Sequence, residues 1–156
     1  MNSDPLIGIW ELDPDTLDYQ FGRPGRRATY VIEAISGGLL FRLDAEDADK
    51  NPIKVTYGGE LDGRDQPLGG GDAALVLTRF GENMIESTLK RRGTVVDRRT
   101  RELLPDRETM KITQLVLRPS GEEFRNTSIY RKKSMTQCWA CGTFGIFFSS
   151  RNAIPF

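Results

Sequence analysis

With 156 residues, the chain can bury about two-thirds of its unfolded surface as one domain without disulfide or metal staples. Its 22 lysines and arginines balance 22 aspartates and glutamates, leaving no net field to recruit nucleic acid or an anionic membrane. Histidine is absent, which excludes Ser-His and Cys-His nucleophile systems, histidine metal sites and the commonest neutral-pH general base.

The opening MNSDPLIGIW has no basic stretch followed by a long apolar run, so no secretory signal or membrane span is expected there, and the chain reads as cytoplasmic. From residue 6 to residue 133, short alternating runs are separated by turn chemistry at intervals of roughly ten residues, the pattern of an all-β sandwich or barrel. Nine strands are predicted, at 6–12, 27–35, 39–44, 53–61, 73–80, 84–91, 94–103, 109–117 and 123–132. No helical stripe accompanies them. Between the first two, DPDTLDYQFGRPGRR carries the prolines and glycines of a loop. GGELDGRDQPLGGGD is a second wide loop at the rim; it lacks the Gly-Lys-Ser/Thr that a phosphate loop requires.

Turn types set the expected registers. A Gly37-Gly38 turn pairs Ile32 with Leu43 and Ala34 with Phe41, placing Tyr30 on the same inner face. A three-residue loop ending at Gly121 pairs Val116 with Phe124, Gln114 with Asn126, Ile112 with Ser128 and Met110 with Tyr130.

The strand TVVDRRTREL has charges on both faces, so one of them must point inward. A three-residue turn at Pro105 to Arg107 and a two-residue Arg92-Gly93 turn both turn Arg98 in, which lines up Ser87, Arg98, Gln114 and Asn126 as a polar row. A register slipped by one turns in Asp97 and Arg99 instead.

Arg98 with Ser87, Gln114, Asn126, Ser128 and Tyr130, on walls including Ile32 and Phe41, then forms a concave site with few convergent polar groups, the usual make-up of a small-molecule pocket. A charge there requires a partner: a ligand anion, an inward Glu102 or ordered water. The alternative reading of the row is a hydrated lining. Tyr30 and Tyr57 are candidate phenolic acids or hydrogen-bond donors; with Arg98 they would be the catalytic set of a cofactor-free cyclase, isomerase or hydratase.

GIWEL at 8–12 and IYRK at 129–132 resemble the signature of the calycins, the superfamily of lipocalins and fatty-acid-binding proteins, and the middle of the chain resembles small bacterial lipocalin-like proteins of unassigned function. The resemblance covers about 6–133. It implies a single antiparallel up-and-down β-barrel of about eight to ten strands, in which Arg131 packs across the indole of Trp10 at the closed end. The chain departs from the fatty-acid-binding pattern in having a loop after its first strand rather than a helical pair, and in lacking the carboxylate-binding Arg-x-Tyr on the last strand, where Ser128 precedes Tyr130.

Residues 134–156 differ from the barrel, with four phenylalanines, almost no charge, and Cys138 and Cys141. One Cys-x-x-Cys without a second ligand pair makes neither a zinc site nor a thioredoxin-like redox motif, so no metal or cofactor is expected. The aromatics of this extension call for a covering surface, with a homodimer as the leading expectation. These features point to a barrel that binds a small, largely apolar molecule through an acidic or carbonyl group.

Overall fold

Among the described residues the chain pairs as ten antiparallel strands in one sheet. In the computed structural model, residues 4–69 and 71–133 are described; the 134–156 extension, with Cys138, Cys141 and the expected dimer contact, lies outside the described residues. The strands are β1 (Gly8–Tyr19), β2 (Ala28–Ile35), β3 (Gly38–Glu46), β4 (Pro52–Glu60), β5 (Asp62–Leu68), β6 (Ala73–Phe80), β7 (Met84–Arg91), β8 (Thr94–Leu103), β9 (Thr109–Leu117) and β10 (Glu123–Lys132). Their order, β4-β3-β2-β1-β10-β9-β8-β7-β6-β5, is an up-and-down meander in which the first and last strands pair. Strands β6 to β10 begin and end where the alternation places them.

Two segments read as loops are strands. β1 continues to Tyr19, with an irregularity between Asp13 and Asp18 where it pairs with β10. Within that irregularity the Thr16 hydroxyl donates to the Asp13 carbonyl (2.7 Å) and accepts from the Ile129 amide (2.9 Å), so a side chain maintains the ladder past Pro14. β5, DGRDQPL, is an edge strand with mostly exposed residues. It has no buried face to impose alternation, and its sequence therefore carries no strand period.

β4 and β5 are the two edges of the sheet. Gln66 bridges them as a surrogate backbone: its amide nitrogen donates to the Glu60 carbonyl (2.8 Å) and its oxygen accepts from the Glu60 amide (3.0 Å). Gly59 makes room for this bridge, because a Cβ there would lie 1.9 Å from the Gln66 oxygen. The barrel is thereby nearly closed.

Three registers bear on the interior. β9 and β10 pair as expected from the Gly121 loop, including Gln114 with Asn126 and Met110 with Tyr130. β2 and β3 pair two residues away from expectation, with Ile32 opposite Phe41 and Tyr30 opposite Leu43, because the turn is Ser36-Gly37. A slip of two leaves every side chain on its face. β8 slips by one, and here the face changes.

Both of its hairpins contribute to that slip. The Arg92-Gly93 turn forms with positive φ at both residues, but Lys90 pairs with Val95 and Leu89 with Asp97, leaving Val96 as a bulge. At the other end Leu103 pairs with Met110 and the Leu104 amide donates to the Thr109 carbonyl (2.9 Å), so the loop is four residues long, 105–108. The Asp106 carboxylate accepts from the amides of Glu108 and Thr109, and Arg107 takes the left-handed conformation. The expected three-residue turn is one residue short of this.

The packed core fills one half of the barrel. Leu6, Trp10, Leu77, Ile85 and Met110 are buried there with Ile32 and Phe41, and the Trp10 indole donates to the Leu6 carbonyl (2.9 Å). Trp10→Ala should cost about 3–5 kcal/mol, read as a lowered denaturation midpoint, because the void lies in a tightly packed end. Gln66→Ala should cost about 1 kcal/mol and accelerate hydrogen exchange at the Glu60 amide, the signature of an opened seam rather than a weakened core.

Candidate functional site

β8 serves as a ruler along the barrel axis. Its inward residues run from Leu103, in the packed end, through Arg101 and Arg99 to Asp97 and the bulged Val96 near the open end. Arg98 therefore does not face in, which corrects the expected site. The Val96 bulge and the four-residue loop each shift β8 by one, and Arg98 emerges on the outer face with 42% of its side chain exposed, 3.8 Å from Glu86. The register that turns in Asp97 and Arg99 is the one adopted.

The expected polar row forms with that substitution. Cross-strand pairing places Ser87, Arg99, Gln114 and Asn126 side by side, and Tyr19 of β1 continues the row. A chain of hydrogen bonds joins it. Arg99 donates to Asp97 (2.9 Å) and to the Tyr30 hydroxyl (3.4 Å). Gln114 donates to the other Asp97 oxygen (2.8 Å), and Asn126 donates to the Gln114 oxygen (3.3 Å). Asn126 also accepts from the amides of Gln20 and Phe21 and donates to the Phe21 carbonyl (3.1 Å), anchoring the segment after β1.

One step deeper, Arg101 is fully buried. Its guanidinium carbon lies 4.6 Å from the Phe41 ring centroid, 5.4 Å from that of Tyr30 and 5.6 Å from that of Tyr57. It donates to Ser87 (3.0 Å) and to the Tyr57 hydroxyl, while its Nε has no hydrogen-bond partner. Among the described residues no carboxylate lies within ion-pair distance of it. Three ring faces partly replace the lost hydration of this cation. Two guanidiniums thus enter the interior from β8, and Asp97 pairs with one of them, Arg99.

These charges act on the neighbouring phenols. Burial pushes the Tyr30 hydroxyl up, but Arg101 and Arg99 together outweigh it and hold Tyr30 below the ordinary tyrosine value. Tyr57 and Tyr130 are driven well above that value by burial, so both stay neutral. Burial disfavours the charge on Arg99, yet Tyr30 and Asp97 more than restore it.

Two cavities open above the core. The larger, about 420 Å³, has Leu75, Leu89, Val96 and Val116 as apolar walls, with Tyr57, Ser87 and Asp97 among its polar groups. Phe21 covers one side, stacked on Phe124 with centroids 5.0 Å apart. The smaller, about 240 Å³, is lined by Tyr30, Leu43, Ala45, Ile112, Ser128 and Tyr130, among others. Of the residues expected to contact a ligand, Tyr57, Ser87, Gln114 and Asn126 line the larger cavity, and Tyr30, Ser128, Tyr130 and again Gln114 and Asn126 the smaller. Ile32 and Phe41 sit below, in the packed core, with Phe41 stacked on Tyr57 at 5.2 Å.

At the closed end the cation over Trp10 is Lys132, with its Nζ 5.4 Å from the ring, and not Arg131. Tyr130 points in, so strand alternation turns Arg131 outward, where it binds Asp13 at 2.9 and 3.1 Å. Arg101, Arg99 and Asp97 are the site residues that the favoured register overlooked, and Tyr19 fell in the segment read as a loop. The available signal was Leu103, whose burial beside Met110 requires 101, 99 and 97 to share its face.

No protein-family model matches the chain, and no curated protein matches it. Solved structures do. The wild-type fluorescent protein UnaG aligns with a TM-score of 0.56 at 14% identity, covering 82% of this chain and 97% of that one. Secretory abundant heat soluble protein 4 from Ramazzottius varieornatus gives 0.55 at 13% identity, over 86% and 99% of the two chains. Zebrafish ileal bile acid-binding protein, solved with cholic acid, gives 0.50 at 14% identity, over 83% and 99%. Together with the ten-stranded, nearly closed meander, these matches identify the fold as that of the calycins.

Proposed function

We propose that the barrel binds a small, largely apolar molecule whose acidic or carbonyl group is read by Arg99, with Arg101 behind it. The observation that carries this reading is that Arg99 lines both cavities beside mainly apolar walls, while Arg101, buried next to it without lining either, brings the inward guanidiniums of β8 to two against the one carboxylate of Asp97. An uncompensated cation in such a place costs several kcal/mol, and an anionic guest offsets that cost. A cavity of about 420 Å³ lies within the roughly 300–1,000 Å³ common for small-molecule sites. The zebrafish bile acid-binding protein, of the same fold, was solved holding an acid of this general kind.

A second reading has its own observation. Tyr30 faces the smaller cavity, accepts a hydrogen bond from Arg99 and is the phenol most easily ionised, an arrangement suited to moving a proton at a substrate carbonyl. Cofactor-free cyclase, isomerase or hydratase chemistry then runs through Tyr30 and Arg99, with Tyr57 held neutral as a donor. Turnover that survives Tyr30→Phe would eliminate it.

Thermal unfolding of the full chain with a panel of hydrophobic acids tests the binding reading. A ligand at about a hundred times its Kd should raise Tm by about 5–10 °C. Arg99→Gln should abolish the shift and Arg98→Gln should leave it unchanged. No shift with any acid rejects the proposal.

Arg101 allows a separate test. Arg101→Met removes a buried cation that lacks a carboxylate, so the variant should be more stable than the parent by about 1 kcal/mol while binding acids less well. A clear loss of stability by chemical denaturation would mean that Arg101 is a structural strut.

A further inference from the structure

The two cavities share a wall made by Tyr19, Arg99, Gln114 and Asn126. Arg99 is the charged member of that wall. From it the larger cavity extends to Leu75, Leu89, Val96 and Val116, and the smaller to Leu12, Leu43, Ala45 and Ile112. The polar reading point therefore lies between two apolar spaces rather than at the end of one. A guest with its charge at one terminus can place that charge on Arg99 and fill one space, leaving the other to water.

We propose that the natural occupant is an acid with two apolar arms flanking a central anionic group, one arm in each cavity. This rests on the binding reading above and narrows its ligand class. The arms are unequal in character. The larger cavity ends at the Phe21 ring, whereas the smaller ends among Arg23, Arg27, Glu46 and Asp47. The arm in the smaller cavity is accordingly short or tipped with a polar group. Asp97 occupies one side of Arg99, at 2.9 Å from Nε, and Tyr30 accepts from Nη1, so the guest's anion approaches the guanidinium from the side of Gln114, whose amide nitrogen keeps one hydrogen beyond the one donated to Asp97.

Two isomeric acids separate central from terminal charge: 2-butyldodecanoate, whose carboxylate sits between a long and a short arm, and hexadecanoate, whose carboxylate is terminal. Titration calorimetry on the full chain should give about tenfold tighter binding of 2-butyldodecanoate, with one molecule per barrel. Leu89→Trp, which fills the larger cavity, and Ala45→Leu, which fills the smaller, should each weaken that binding several-fold. Equal or tighter binding of hexadecanoate overturns the two-armed guest, as does weakening by only one variant; in either case Arg99-dependent acid binding is left standing. If neither acid binds, the binding reading fails and takes this inference with it. Should a variant fail to fold, the comparison of the two acids on the parent chain decides.

Discussion

Two guanidiniums enter the barrel from one strand, and the interior supplies one carboxylate for them. The rest of the site is arranged around that imbalance. Phe41, Tyr30 and Tyr57 turn ring faces to Arg101, Ser87 and Tyr57 accept its protons, and Asp97 with Gln114 fixes Arg99 at the junction of the cavities. Apolar residues of similar volume would fill the same space without desolvating a cation. A fold needs no such group for its own stability; under the binding proposal, the arrangement is readiness for an anion that arrives from outside.

The Val96 bulge makes this possible. Val96 lines the larger cavity, while Leu103, seven positions along the same strand, is buried beside Met110. Strict alternation places residues an odd number apart on opposite faces, so one extra residue is needed for both to point inward. The bulge between Leu89 and Lys90 supplies it. Its consequence is to turn Asp97, Arg99 and Arg101 in and Arg98 out. A local backbone irregularity thus sets the charge of the interior.

The ends of the barrel are treated differently. At one, Trp10 with Leu6, Ile85 and Met110 packs solidly beneath Lys132. At the other, Asn126 grips the segment after β1, and Phe21 rests on Phe124 with the Arg118 guanidinium 5.1 Å from its ring. Ion pairs from that segment, Arg23 to Asp49 at 3.1 Å and Arg27 to Glu46 at 3.2 Å, are exposed and contribute little each. The cavity mouth is therefore held chiefly by the buried amide of Asn126. The Gln66 bridge completes the wall where the sheet has no ladder.

Much of this was legible in the sequence. Alternation over 73–132 located five strands to the residue, the Gly121 loop set the β9–β10 register, and Ser87, Gln114 and Asn126 were placed in one row, because each of these follows from side-chain period and turn geometry within a hairpin. β5 was not legible, since an exposed edge imposes no period, and neither was the strand character beyond Asp13, where a threonine hydroxyl stands in for the backbone. The sequence by itself determined that a cation from TVVDRRTREL must face an apolar interior. Only the tertiary structure decided which one, because a bulge and a four-residue loop are chosen by the packing of Leu103, Val96 and their neighbours on both adjoining strands, and a one-residue shift is all that separates Arg98 from Arg99.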